Sequence, residues 1–162
     1  GDEESCKTLT RLFVLMGEKY MPMILAGGKE ASQAVAILLK CSSNPDKEIA
    51  SMTFNFWYAV SRKVTGSEDQ KLITLFQQPF MHMVVRLKNV MQYPPEITQV
   101  SDDRQTSEYK RYRYFAADAL VDAEAVLGIR PVLRILLGEL QKEWAAYQKN
   151  PLKWQGVEAR LY

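Results

Sequence analysis

Apolar residues at Ile49, Met52, Phe56, Val60 and Val64 recur at steps of three and four, which places them on one helical face. Trp57 widens that stripe and Phe54 reaches a neighbouring one. A helix apolar over so much of its circumference must be covered on more than one side, as in a stacked array. The same reading divides the rest of the chain. A first helix begins near Glu4 or Ser5 and is expected to turn Leu9, Leu12, Phe13, Met16 and Tyr20 inward. Pro22 is expected to kink it, with Met23, Ile24 and Leu25 continuing the apolar supply as far as Gly27-Gly28. A second helix presents Ala31, Ala34, Val35, Leu38 and Leu39 and ends at Ser42-Ser43-Asn44-Pro45.

Asp46 is the expected N-cap of the aromatic helix, which closes at Thr65-Gly66. Ser67 could cap a fourth element that Gln78-Pro79 interrupts. Pro79 then opens a run with Phe80, Val84, Leu87 and Met91 on one face. Positions 92–106 read as a loop, because Pro94-Pro95 and Ser101-Asp102-Asp103 oppose regular structure. Ser107 caps the next helix, with Tyr112, Ala116, Ala119, Leu120, Ala123, Val126 and Leu127 inward and Gly128 as its stop. Pro131 opens another, carrying Val132, Leu133, Leu136, Leu140, Trp144 and Tyr147, which Asn150-Pro151 ends. Gln155 to Tyr162 begins one more apolar pattern.

No segment alternates cleanly enough to predict a strand. The expected fold is all-α, an α-solenoid of HEAT-like antiparallel helix pairs. The pairs are expected at about 1–45, 46–106 and 107–151, with 152–162 starting the next repeat. Helix starts near residues 4 and 47 lie about 43 residues apart, within the roughly 40–47 of HEAT or armadillo units, and the next interval is about 60. On this pattern the chain is expected to be an internal fragment of a longer repeat array.

Composition changes this picture little. The apolar fraction of 47% and charged fraction of 25% over 162 residues are ordinary for a globular protein, and a net charge of +2 does not by itself argue for nucleic acid or an acidic membrane. No apolar run approaches the roughly 18 residues of a membrane span, so no membrane insertion is expected. The opening Gly1-Asp2-Glu3-Glu4 carries no signal-peptide pattern. Cys6 and Cys41, the two cysteines, are therefore expected to be reduced thiols inside the cell.

Chemistry for catalysis is thin. His82 is the one histidine, and it stands among Phe80, Met81 and Met83 with no nucleophile motif nearby, which fits a residue facing away from the core. Cys6, Cys41 and His82 lack zinc spacing, and Gly27-Gly28 lacks the lysine and serine of a phosphate loop. No enzymatic activity, metal or cofactor is expected. Asp118 and Asp122, four apart, share a helix face near Glu124. Their expected role is structural, in a ladder paired with arginines of an adjacent repeat. Lys110, Arg111 and Arg113, with Arg104, form the densest basic cluster, interleaved with Tyr109, Tyr112 and Tyr114. That interleaving suits single-stranded nucleic acid, yet the helical period puts Tyr112 inside and spreads the arginines around the outside.

Several stretches together resemble the transportin-SR branch of the karyopherin-β (importin-β) superfamily of nuclear transport receptors. They are Met52-Thr53-Phe54-Asn55-Phe56-Trp57-Tyr58, Glu108-Tyr109-Lys110-Arg111-Tyr112-Arg113, Asp118 with Asp122, Val126-Leu127-Gly128, and Trp154 followed by Val157-Glu158-Ala159. The resemblance implies internal repeats from the first half of a much longer superhelix. It implies a receptor that shuttles between cytoplasm and nucleus, binds cargo, meets nucleoporins in the pore, and releases cargo when GTP-bound Ran engages. Cargo of that branch is typically splicing factors with Arg-Ser-rich tails, and direct nucleic-acid binding is not implied. The repeats that chiefly meet Ran, and the arginine-rich helix that reads phosphorylated Arg-Ser segments, are expected to lie outside this segment.

Phe56, Trp57, Arg113, Asp118 and Asp122 are then structural. Helical phase points Arg86 and Arg134 onto a concave surface, where they could meet an acidic or phosphorylated partner, with Lys110 and Arg111 as further contacts. A different helical-repeat scaffold, such as a trafficking or signalling adaptor, is the alternative. A third option is an all-helical enzyme or RNA-binding domain using His82 or the Lys110–Arg113 cluster.

Overall fold

A computed structural model describes residues 2–93, 103–150 and 154–161. Among these the chain is helical throughout its regular structure: α1 (Asp2–Lys19), α2 (Met21–Ala26), α3 (Lys29–Cys41), α4 (Lys47–Ser51), α5 (Phe54–Gly66), α6 (Gln70–Val90), α7 (Asp103–Leu127), α8 (Ile129–Lys149) and α9 (Trp154–Leu161). Packing runs between near neighbours along the chain. At one end α1 lies on α2, α3, α4 and α5, and α5 and α6 both lie on α7. At the other end α8 lies on α6, α7 and α9. Helices that bury their apolar sides against the next helices in order make an all-α repeat solenoid.

The core centres on the aromatic helix. Phe56, Trp57, Val60 and Val64 of α5 are fully buried, with Phe76, Phe80, Met83, Val84 and Leu87 of α6 and Ala116, Ala119 and Ala123 of α7. Trp57 meets Phe56 and Phe80 edge to face, at ring separations of 5.3 and 5.5 Å. Such pairs add about 0.5–1.5 kcal/mol each beyond area burial. The indole Nε1 donates to Ser42 Oγ at 2.8 Å, and the Ser42 and Thr53 hydroxyls lie 2.8 Å apart. One polar thread through the core therefore ties the end of α3 to the start of α5.

Asp46 is an N-cap, accepting from the backbone N–H of Glu48 and Ile49, but of the short α4 and not of the aromatic α5, whose N-cap position is Thr53. The aromatic helix is not continuous from there. The chain turns at Met52 and Thr53, separating α4 from α5, and the Thr53 hydroxyl at this turn is buried beside Ser42. Lys7 of α1 holds α4 from the other side, bonding Glu3 at 2.9 Å and Glu48 at 2.8 Å. Those two carboxylates hold its ammonium well above the ordinary lysine range.

Four further sequence expectations change. The inward face of α1 is Thr10, Val14 and Gly17, while Leu9, Leu12, Met16 and Tyr20 are about half exposed. The ring of Phe56 comes within 2.8 Å of where a Gly17 Cβ would stand, so the closest helix approach uses the smaller residues. At Pro22 the chain breaks at Tyr20 and restarts as α2, with the proline in its first turn, where the missing N–H costs nothing. Pro79 neither interrupts nor starts a helix, lying instead inside the 21-residue α6, which Asp69 and not Ser67 caps. Phe76 and Phe80 on either side are both buried, and burying each contributes roughly 1.5–3 kcal/mol against the ~3 kcal/mol cost of an interior proline. Finally, α7 and α8 start earlier than Ser107 and Pro131, at Asp103 and Ile129. Gly128, with φ of 79°, makes the turn between them in a single residue. The expected loop otherwise falls on 94–102, outside the described residues.

Candidate functional site

The first turns of α7 gather a cluster of polar and aromatic contacts. Tyr109, Tyr112 and Arg113 are all buried there, Arg113 to 1% exposure. This corrects the expectation that the arginines of this stretch all face outward. Burial of a guanidinium demands partners, and the next element supplies one: Arg113 Nη1 bonds Glu158 Oε1 of α9 at 2.9 Å. The same guanidinium lies 4.7 Å over the Tyr93 ring, which packs on Tyr109 at 4.9 Å and on Trp154 at 6.2 Å. Tyr109 donates its hydroxyl to the Val90 carbonyl at 2.8 Å and also meets the Gln92 carbonyl. Lys47 places its ammonium 4.1 Å over the other face of this cluster, on the Tyr109 ring.

Burial pushes the Tyr109 phenol up to about 12, with the Arg113 charge opposing the shift, and pushes Tyr112 higher still. Both phenols therefore stay protonated, able to donate hydrogen bonds and unable to act as bases near neutral pH. The cluster joins α4, the end of α6, α7 and α9. Its chemistry is that of a joint between successive helices.

The residues expected to touch partners are distributed over three helices. Arg86 of α6 is half-buried and donates from Nη1 to Ser43 Oγ at 2.8 Å, in the turn after α3. Arg134 is exposed on α8. Lys110 and Arg111 are exposed on α7, the Arg111 guanidinium 5.8 Å from the Phe115 ring. The side chain of Arg104 is outside the described set, and burial of Arg113 takes the centre out of the basic cluster. His82 is exposed on α6.

Of the expected ladder carboxylates, Asp118 is exposed and Asp122 is half-buried. Asp122 crosses to α5, where it accepts from the Ser61 hydroxyl at 3.3 Å and feels the Arg62 charge. Burial raises its pKa, with Asp118 adding to the effect and the Ser61 bond and Arg62 charge opposing it. Arg113 to Glu158 is a buried arginine-to-carboxylate tie between helices that spacing alone did not pair, beside the exposed Arg11–Glu48 contact at 3.9 Å. Apolar grooves also lie among the described residues. One of about 470 Å³ runs between α1, α2 and α3, past Phe13, Met16, Tyr20, Met23 and Glu30. Another, about 460 Å³, lies between α8 and α9 beside Trp144, Tyr147 and Trp154. The surplus of large apolar residues on α1 and α8 was the sequence signal for both.

A helical array whose successive helices are joined in this way belongs to the class of all-α helical-repeat proteins. Residues 1–91 match the family described as Transportin-3/Importin-13 second TPR domain. Transportin MOS14 of Arabidopsis thaliana is 33% identical over 175 aligned residues, covering 99% of this chain and 18% of that protein. The chain thus spans less than a fifth of that relative, and it belongs to the transportin/karyopherin-β family of nuclear transport receptors.

Proposed function

We propose that this chain is part of a nuclear import receptor that binds cargo with Arg-Ser-rich, splicing-factor-type tails and releases it when GTP-bound Ran engages. The observation that carries the reading is the 33% identity to Transportin MOS14, sustained over 99% of the chain. The receptor shuttles between cytoplasm and nucleus, contacts nucleoporins on the way, and has no enzymatic activity. Residues 1–45, 46–106 and 107–151 act as successive helix pairs, with 152–162 opening the next. Stacked pairs flex as a spring with a long binding surface. Arg134, Lys110 and Arg111 are exposed cations on that array, suited to acidic or phosphorylated segments, and Arg86 joins them from the α3–α6 junction.

A pull-down of an Arg-Ser-tailed splicing factor by the full-length receptor, with and without GTP-loaded Ran, tests the whole reading. Cargo retention is expected to fall sharply with GTP-loaded Ran and to persist with the GDP form; retention that ignores the nucleotide overturns it. The residue assignment is tested separately by R86E and R134E together, which should weaken cargo or Ran binding by about tenfold, the effect of ~1.4 kcal/mol. Unchanged affinities for both remove these arginines from the site.

A further inference from the structure

The contact between Arg86 and Ser43 joins a side chain of α6 to the turn between α3 and α4. Ser43 Oγ accepts from Arg86 Nη1 at 2.8 Å and donates toward the Lys40 carbonyl at 3.0 Å. Its neighbour Ser42 is fully buried in the Trp57 network, whereas Ser43 stays partly accessible on a turn that ends at Pro45. Acidic residues follow it, with Asp46 three positions on and Glu48 five. A kinase whose substrate groove is basic would read that charge pattern.

We propose that Ser43 is a phosphorylation site whose phosphate is received by Arg86. In the transfer, Ser43 Oγ attacks the γ-phosphorus of ATP held by a protein kinase. The Oγ–P bond forms as the bond from phosphorus to the β-bridging oxygen breaks, the hydroxyl proton passes to the kinase's base, and ADP leaves. The product carries a charge near −2 and three acceptor oxygens, which a guanidinium matches with paired N–H donors. Two features oppose it: the carbonyl end of α3, equivalent to about half a negative charge, and Asp46. The full charge of Arg86 already in contact outweighs that partial charge. The charge of Asp46 is partly offset by the α4 N-terminus it caps, where Glu48 N–H lies 2.8 Å away, and by the Lys7 ammonium at 3.8 Å. Phosphorylation therefore pins the α3–α4 turn to α6, stiffening one helix junction. The inference needs no particular cargo and stands apart from the transport reading.

The test has two arms, both on full-length protein. Protein isolated from eukaryotic cells is digested and the peptide containing residues 41–46 is analysed by mass spectrometry; phosphate on Ser43 is expected. Phosphoserine is also placed at position 43 by genetic encoding and titrated by ³¹P NMR, beside the same protein with R86Q. With Arg86 present, the second ionisation should fall below its ordinary value of about 6 by on the order of 0.5–1 unit, and R86Q should restore it. Midpoints that agree between the two proteins overturn the receiver role. Full coverage of that peptide with no phosphate on Ser43 overturns the site.

Discussion

Gly17 is the position where one added methyl would be felt most. A Cβ there would stand 2.8 Å from Phe56 Cε2 and 3.3 Å from a Leu38 methyl. Overpacking of this kind costs about 1–3 kcal/mol, and the helix propensity gained by replacing glycine offsets about 1 kcal/mol. G17A is expected to destabilise the α1–α5 contact by ~1 kcal/mol, seen as faster amide exchange in both helices; slower exchange would refute the crowding. At Asp122 the sign runs with pH. Its folded pKa is raised, so the carboxyl favours the folded state fully below its ordinary pKa near 3.8, and that contribution is lost as pH rises through the folded value. D122N keeps an oxygen for Ser61 and removes the charge. It should raise stability at pH 7 by less than about 1 kcal/mol, since the group is half exposed, and change nothing below the ordinary pKa. Denaturation midpoints at pH 3.5 and 7 check this.

Among elements, α6 shows what a residue-by-residue scan misreads. A proline at position 79 signals a break, yet Phe76, Phe80, Met83, Val84 and Leu87 lie on one buried stripe that crosses it. P79A restores a backbone donor at the cost of some ring contact beside Ile24 and Val35. The expected result is a stability gain of ~1 kcal/mol, and a loss would mean that the helix shape depends on the proline. In α1 the helix itself was legible from its spacing, but its buried face was not. Periodicity finds an apolar stripe without saying which neighbour approaches it, and α1 also carries a small-residue face that packs closer. Helix starts slipped at Ser107 and Pro131 because cap residues are permissive signals: the backbone of α7 is helical from Asp103 and that of α8 from Ile129.

At the scale of the whole molecule, Arg113 is a point where one helix is tied to another across the array. Its guanidinium is buried under Tyr93 and bonded to Glu158 on α9. R113M would leave Glu158 facing an apolar side chain. Removing one member of a fully buried pair costs about 3–5 kcal/mol, and because Glu158 can rehydrate, ~2 kcal/mol is expected here. The loss should appear as accelerated exchange along α9 with α1 to α3 unaffected; uniform loosening of the array would show that the joint does not act locally. Exchange that stays local is what a chain of nearest-neighbour contacts predicts.

By itself the sequence determined that this chain is all-α, that it packs as a repeat array around Phe56 and Trp57, and that it resembles nuclear transport receptors. Those conclusions rest on spacing and residue type, which are local quantities. Only the tertiary structure decided that Arg113 turns inward to Glu158, that Arg86 engages Ser43, and that α1 buries Gly17 in place of Leu12. These depend on residues far apart along the chain meeting in space (Arg113 with Glu158, Ser43 with Arg86, Gly17 with Phe56), or on which side of a helix a neighbour approaches closest. A helical period repeats every few residues and carries no record of either.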